Sequence, residues 1–577
     1  MLRELKHNGV IIPEPPPHRA VSIRIRDKWV TLDAEQEEMA FAWCRKIGTP
    51  YVQDSVFIRN FIIDFSRALG EKRLALDEID FTQVLEIIDA ERRAKENMSK
   101  EERKALAAER KLKREALKEQ YGYAVADGER IELANYIVEP GGIFMGRGKH
   151  PLRGRWKEGA KQADITLNLS PGSETPPGDW QRVWQPESLW VARWQDKLSG
   201  KMKYIWLHDT APIKQKREAL KFDQARKLRF RIDQVRSVIE QGLSADDPRR
   251  RKIATVCYLI DELCLRVGDE KDPEEADTVG ATTLRPEHMK IHPDGTIEFR
   301  FLGKDSVLWH KKISSPPDPV RKNLEELARD ARPSRNGSNK KLHPAHQKPQ
   351  LFPDVSSRNV NEFLSQEVMP GLTAKVFRTF HATSVVEQKL DEEKVTADDP
   401  EYRKWGAAVR ANLAAAIKCN HTKQPPKSWG ERRKKFRERE QRARERISKA
   451  KERLNKLNED LARLRAEKRE RMVKAKTSAQ RTSLSARYRK RIGSKKDQIE
   501  RVRLREQKAH MALGKIQEQK RIATSNRSWN LGTSQKSYID PRVYYSWGLR
   551  VDYDVLECFY SATLRRKFMW VKNGELQ

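Results

Sequence analysis

The hydrophobic period changes several times along this chain, and each change predicts a different kind of element. Near the N-terminus Val21, Ile23 and Ile25 alternate with Ser22 and Arg24, the two-residue period of a half-buried strand. A helix is predicted from Glu35 to Trp43. Ser99 and Glu102 have capping-box spacing, and the Ala-, Leu-, Glu- and Lys-rich run behind them predicts a helix with a charged outer face. Residues 123–210 are dense in Gly, Pro and Trp, and their short apolar stretches predict strands and loops. Ile253, Val256, Ile260, Leu263 and Val267 then step by three and four, one buried helix face ending at Gly268. Ile297, Phe299 and Phe301 alternate ahead of Gly303-Lys304-Asp305, which predicts a hairpin.

A different pattern fills residues 431–520. Ile447, Ala450, Leu454, Leu457, Leu461 and Leu464 follow a 3-4-3-4-3 spacing. A second run (Ile492, Ile499, Val502, Ala509, Leu513, Ile516) fits a heptad with polar interruptions at Lys495 and Glu506. Thr477 to Ser483 between them is turn material, so the region predicts an antiparallel coiled-coil hairpin. The segment from Ser528 onward, with Trp529, Trp547 and Trp570, predicts a return to a packed core.

Charge narrows the class of partner. The 577 residues carry a formal net charge of +34, with a pI near 9.9. Residues 431–520 alone hold 33 Lys and Arg against 13 Asp and Glu. That balance points to a polyanion, nucleic acid first. Five separated cysteines (Cys44, Cys257, Cys264, Cys419, Cys558) show no C-x-x-C pair, the pattern of an intracellular protein whose thiols are small core residues. Neither a signal peptide nor a run of about 18 apolar residues is present, so no membrane partner is expected.

Several machines are excluded by their missing motifs. There is no G-x-x-x-x-G-K-[ST] loop, and no His/Cys grouping has zinc spacing, so neither a nucleotide cofactor nor a metal is expected. The acidic stretch from Asp269 to Asp277, interrupted by Lys271, reads as a solvated loop. A phosphodiester can still be broken if a side chain is the nucleophile.

The segment Leu531-Gly-Thr-Ser-Gln-Lys-Ser-Tyr538-Ile-Asp-Pro-Arg542 resembles the active-site tyrosine motif of type IB DNA topoisomerases, the eukaryotic topoisomerase I family. Four more segments resemble that family's other catalytic motifs, in order. They are Leu263-Cys-Leu-Arg266-Val-Gly-Asp-Glu-Lys271, Phe301-Leu-Gly-Lys304-Asp-Ser306, Gly371-Leu-Thr-Ala-Lys-Val-Phe-Arg378-Thr379, and Cys419-Asn-His421 followed by Pro425-Pro-Lys427. The segment from Glu139 to Pro151, with Arg147, resembles the DNA-facing loop of the family's N-terminal lobe. The likeness runs from about Thr31 to the C-terminus and includes the basic hairpin.

The resemblance implies an α+β, two-lobed clamp around double-stranded DNA that works as a monomer. Residues 1–212 would form a mixed α/β cap and 213–426 a mainly helical catalytic lobe of the tyrosine recombinase/topoisomerase IB type. Residues 427–524 would be the coiled-coil linker and 525–577 the tyrosine domain. Tyr538 would attack phosphorus, Arg266 and Arg378 would hold the phosphate oxygens, His421 would donate to the remaining one, and Lys304 would protonate the leaving 5′ oxygen. Guanidinium groups suit this role because they donate bidentately and stay charged. DNA contacts are implied for Asn135, Arg147, Lys149, His150, Lys271, Thr278, Asp305, Ser306 and Lys375. Family members from animals and fungi carry a long charged N-terminal region. Here the sequence begins almost at the core, which points either to an archaeal relative, with an archaeal cytoplasm or nucleoid as its location, or to a trimmed chain; the nucleus is implied if the chain is eukaryotic. Two rivals stay open at this stage: a tyrosine recombinase, and a non-enzymatic nucleic-acid scaffold.

Overall fold

The computed structural model describes residues 1–146, 150–268, 279–303, 307–331 and 349–572. Lys304, Asp305, Ser306, Arg147, Lys149, Lys271, Thr278 and the acidic stretch from Asp269 lie outside the described residues.

Strand β1 (Leu5–His7) is followed by the hairpin β2 (Ser22–Ile25) and β3 (Lys28–Thr31), where Ile23 and Ile25 turn inward. Helices α1 (Ala34–Cys44) and α2 (Ser55–Ala68) stack Trp43 on Phe61 with ring centroids 4.5 Å apart, the centre of a first core. Strand β4 (Ile79–Asp80) joins β2, and α3 (Thr82–Asn97) leads to α4 (Lys100–Tyr121), which opens with the Ser99–Glu102 capping box. A second core forms where β5 (Tyr123–Ala126) and β6 (Glu129–Glu132) extend a sheet from β1. The short pair β7 (Gly142–Ile143) and β8 (Trp156–Lys157) comes next. Strands β9 (Ile165–Asn168), β10 (Gln181–Val183), β11 (Trp190–Gln195) and β12 (Met202–Trp206) form a sheet in the order β10-β9-β11-β12, burying Ile165, Leu167, Val191 and Ile205.

Helices α5 (Pro212–Leu243) and α6 (Pro248–Leu263) begin the helical part. Val256, Ile260 and Leu263 face inward as their spacing predicts, but α6 stops short of the expected Gly268. Cys264 takes a left-handed backbone (φ 54°), and the chain leaves the helix there. Strands β13 (Met289–Ile291), β14 (Ile297–Gly303) and β15 (Val307–Ile313) form an antiparallel sheet, with Phe301 stacked 5.1 Å from Trp309. Helices α7 (Asp318–Asp330) and α8 (Ser357–Phe363) follow.

The rest is helical apart from an isolated bridge between Thr422 and Trp529. Helices α9 (Ala374–Glu392) and α10 (Glu401–Lys418) pack side by side. The long α11 (Trp429–Lys474) and α12 (Ser478–Ser525) run antiparallel, with Lys520 pairing to Glu440 at 2.7 Å and Lys495 to Asp460 at 2.8 Å. Leu457, Leu461 and Ile499 bury their seam. The turn between them is tighter than the sequence suggests. Thr477 and Gln480 form a capping box that starts α12 at Ser478, so Ser478 to Ser483 are helical rather than turn. Four short helices close the chain: α13 (Leu531–Ser537), α14 (Pro541–Arg550), α15 (Val555–Cys558) and α16 (Ala562–Phe568). They bury Ile539, Tyr544, Trp547 and Phe568 in one core with Ala382, Val386, Ala408 and Ala411 of α9 and α10.

The chain divides into two compact units, Met1–Asp223 with Val267–Asn359, and Gln224–Arg266 with Val360–Gln577. The fold is α+β, with the named strands in the first unit. Four of the cysteines are buried, but Cys558 is exposed, at variance with the expectation that all are core residues. Among the described residues no helix is long and apolar enough to cross a membrane.

Candidate active site

Helix α9 places Val376, Phe377, Ala382, Val386 and Leu390 in the core, and among them the charged residue Arg378, only 3% exposed. A buried cation is tolerated only if its hydrogen bonds are met. Nη1 donates to the Cys264 carbonyl at 2.6 Å, and Nη2 donates to the Cys419 carbonyl at 3.1 Å and to His421 Nε2 at 3.0 Å. Both carbonyls belong to C-caps, of α6 and of α10, where unpaired carbonyls concentrate partial negative charge. Left-handed residues at Cys264 and Asn420 turn the chain at these two caps. Among the described residues no carboxylate pairs with Arg378, and its buried Nε has no hydrogen-bond partner. Among the described residues, the pocket holds a cation without an anion.

His421 is 6% exposed and shares that pocket. An arginine only donates, so Nε2 must accept, which assigns the ring proton to Nδ1. Nδ1 is buried without a partner. Burial first, then the charges of Arg378 and Arg266, push the imidazole down from 6.5 to about 3, so the ring is neutral at pH 7. Its backbone is fixed on both sides. The His421 amide donates to Ala416 O at 2.8 Å, and its carbonyl accepts from the Asn530 amide at 2.6 Å. The second bond joins the histidine directly to the segment that starts α13.

Tyr538 caps the C-terminal end of α13 and is 8% exposed. Its ring stacks on His421, centroids 5.4 Å apart and planes inclined at 30°. The Arg378 guanidinium carbon lies 4.8 Å from the same ring centroid. The Tyr538 amide donates to Ser534 O at 2.9 Å, and the buried Ser534 hydroxyl donates to Asn412 Oδ1 on α10 at 3.0 Å. The neighbouring Tyr544 is a poor competitor: it is fully buried, and its hydroxyl donates to Ala408 O at 3.1 Å.

Arg266 is half-buried, two residues past Cys264, close enough for its charge to act on His421. The structure therefore brings Arg266, Arg378, His421 and Tyr538 together in the second unit. Lys375 is exposed on the first turn of α9. Strands β14 and β15 belong to the first unit, and Lys304 between them in sequence lies outside the described residues. In that unit Asn135 is exposed, but its amide is engaged locally, accepting from the Tyr136 and Ile137 amides and donating to Ile137 O. His150 sets its ring edge against Phe144, centroids 4.9 Å apart. The following segment is pinned on α2, where Asn60 donates to the carbonyls of Pro151 and Arg153 and Asp64 accepts from Arg155 and the Trp156 amide. Gly154 lies so close to the Phe57 backbone that no side chain fits there.

Sequence reasoning missed the polar residues behind these groups. Asp261 on α6 accepts from His381 Nε2 at 2.6 Å and from Arg236 Nε at 2.8 Å. Burial alone would raise this carboxyl, but the two donors hold it below its ordinary value. The pair ties α6 to α9 one turn beyond Arg378. Its signal was available: polar residues stepping among the buried positions of two apolar helix faces.

Residues 2–207 match the family model described as the DNA-binding fragment of eukaryotic DNA topoisomerase I, and residues 210–461 match that of its catalytic core. Residues 510–576 match a C-terminal topoisomerase domain. DNA topoisomerase 1 beta of Arabidopsis thaliana is 33% identical over 583 residues, covering 98% of this chain and 58% of that protein. DNA topoisomerase 1 of Homo sapiens is 32% identical over 584 residues, 98% of this chain and 70% of the human protein. The mitochondrial DNA topoisomerase I of Pan troglodytes is 32% identical over 585 residues, 98% of this chain and 89% of that one. The chain thus spans little more than half of the plant relative and most of the two primate ones.

Proposed function

Because the chain belongs to the eukaryotic DNA topoisomerase I family, we propose that it relaxes supercoiled double-stranded DNA. It cuts one strand, lets the duplex rotate and reseals the strand, without ATP or a required metal. One observation carries this reading: Arg378, buried and without a carboxylate partner among the described residues, lies with neutral His421 against the ring of Tyr538.

The Tyr538 oxygen attacks phosphorus as its phenolic proton passes to solvent, and the bond to the 5′ oxygen breaks as the new bond to tyrosine forms. The 3′ end is then a phosphotyrosine ester, and attack by the 5′ hydroxyl reverses the step. Bond energy is conserved in the ester, so religation needs no nucleotide. The departing 5′ oxygen takes a proton, supplied by Lys304 in this reading. Arg378 and Arg266 donate to the phosphate oxygens, where charge grows in the transition state and preorganised donors act most strongly. As a phosphate takes over the donors of Arg378, His421 Nε2 loses its present hydrogen bond. The tautomer protonated on Nε2 then donates to the remaining oxygen.

The wider arrangement is a monomeric clamp, with residues 1–212 as cap, 213–426 as catalytic lobe, 427–524 as linker and 525–577 as tyrosine domain. Asn135, Arg147, Lys149, His150, Lys271, Thr278, Asp305, Ser306 and Lys375 contact DNA in this reading, mostly at phosphates, so affinity falls steeply with salt. The protein works wherever the DNA is, nucleus or nucleoid. A plasmid relaxation assay without ATP or Mg²⁺ tests the proposal. The chain relaxes the plasmid, and Tyr538→Phe binds it but does not. Relaxation by the Phe variant removes Tyr538 as nucleophile. Binding without relaxation by the unaltered chain leaves only a scaffold.

A further inference from the structure

Helix α9 reaches the nucleophile at a second point. Thr383 lies five residues beyond Arg378, about 7.5 Å further along the axis at 1.5 Å per residue. Its half-buried hydroxyl donates to the Tyr538 carbonyl at 3.3 Å and accepts from the Asp540 amide at 3.1 Å. A hydroxyl can do both, having one proton and two lone pairs. Asp540 caps α14 by accepting from the Arg542 amide at 3.0 Å, and the Arg542 guanidinium also donates to it. Among the described residues, no other side chain bonds to the main chain at Tyr538.

We infer that Thr383 is a positioning residue for the cleavage step, holding the Tyr538 main chain at a fixed place relative to Arg378. The covalent route between His421 and Tyr538 runs out and back through α11 and α12, each more than 40 residues long, and such a path cannot hold the tyrosine to a fraction of an ångström. One helix carrying both the cation and the grip on the nucleophile can. Thr383 touches neither phosphate nor the phenolic oxygen in this scheme. It acts through the peptide that aims them. The inference rests on Tyr538 as nucleophile and Arg378 as the phosphate-binding cation.

Single-turnover cleavage of a suicide DNA substrate tests it, with DNA affinity and melting temperature measured on the same proteins. Thr383→Val keeps the branched shape and loses both hydrogen bonds. It is expected to slow cleavage roughly 10- to 100-fold, the scale of a misplacement of about 1 Å, with affinity and melting temperature close to those of the unaltered chain. Thr383→Ser keeps the hydroxyl and restores the rate to within about threefold. Thr383→Ala serves beside Val as a second variant without the hydroxyl, so a Val protein that fails to fold leaves Ala against Ser to decide. Tyr538→Phe is run in parallel. Near-normal cleavage without the Thr383 hydroxyl, with the Phe variant inert, overturns the inference and leaves the nucleophile standing. A Ser variant as slow as Val also overturns it, because packing of the methyl then matters rather than the hydroxyl. Cleavage by the Phe variant overturns the underlying assignment itself.

Discussion

Around Tyr538, Arg378 is 3% exposed, His421 is 6% exposed, and their partners are carbonyls and each other. Along α11 and α12, by contrast, residues 431–520 spread 33 basic and 13 acidic side chains over two mostly exposed helices. Many of those acids sit in local pairs such as Glu438–Arg442 and Glu470–Lys474, one helical turn apart. Exposed pairs of this kind contribute about 0–1 kcal/mol and are screened by salt. A guanidinium fixed in a dry pocket is screened far less, and its donors need no reorganisation when charge develops. In the proposed function the two regions would separate two uses of positive charge: a few buried donors for chemistry, many solvated ones for holding a polyanion.

Removing a pocket cation should give the largest effect. Arg378→Ala is expected to slow single-turnover cleavage by roughly 10²–10³-fold while changing DNA affinity little, the usual cost of one transition-state donor. Comparable losses in affinity and cleavage would erase the distinction between the two regions.

Shortening the linker should do the opposite. Residues 445–508 can be replaced by a short flexible connector that keeps the base. The base is needed because Arg410 of α10 pairs with Glu518 of α12, and Gly406 and Gly514 sit against the Glu518 and Tyr402 side chains. The shortened protein should still relax plasmid. Its plot of log affinity against log salt should become shallower by about 0.9 for each phosphate that the linker no longer neutralises. A shortened protein that folds and binds DNA but cannot cleave would place the linker inside the active site.

The smallest effect concerns the dryness of the pocket. His421 is held at about 3 in the folded chain, below its ordinary 6.5, first by burial and then by Arg378 and Arg266. Between those values the unfolded chain binds the proton and the folded chain does not, so stability falls as pH drops below 6.5. Acidification from pH 7 to 5 should therefore cost the unaltered chain about 2 kcal/mol more than His421→Gln in denaturant unfolding. His7, also lowered by burial, to about 4, is present in both proteins and cancels. Equal acid losses would mean that His421 is solvated.

The residues that meet in the pocket could be named from the sequence because they sit in short motifs, and the two long helices because their heptads repeat. What the sequence hid are places where a distant partner decides the backbone. The three-and-four spacing continues through Val267, yet α6 ends at Cys264, whose carbonyl accepts from Arg378, 114 residues on. Thr383 reads as an ordinary helix residue until Tyr538, 155 residues away, is brought to its hydroxyl. The early start of α12 was missed for a local reason. Thr477 and Gln480 have capping spacing, but the Ser- and Thr-rich composition of 477–483 reads as turn. Strand β14 was legible from the alternation of Ile297, Phe299 and Phe301, while Lys304 lies outside the described residues.

If the buried cation pocket exists to activate one tyrosine, DNA must become linked to that tyrosine and to no other residue, and the linked residue can be identified chemically. The covalent complex is trapped on a suicide substrate, digested, and the modified peptide sequenced by mass spectrometry. The expected result is a single attachment at Tyr538, through a 3′ phosphate, with a free 5′ hydroxyl on the released strand. Attachment at Tyr544, Tyr545 or any other residue, or through a 5′ phosphate, would contradict it.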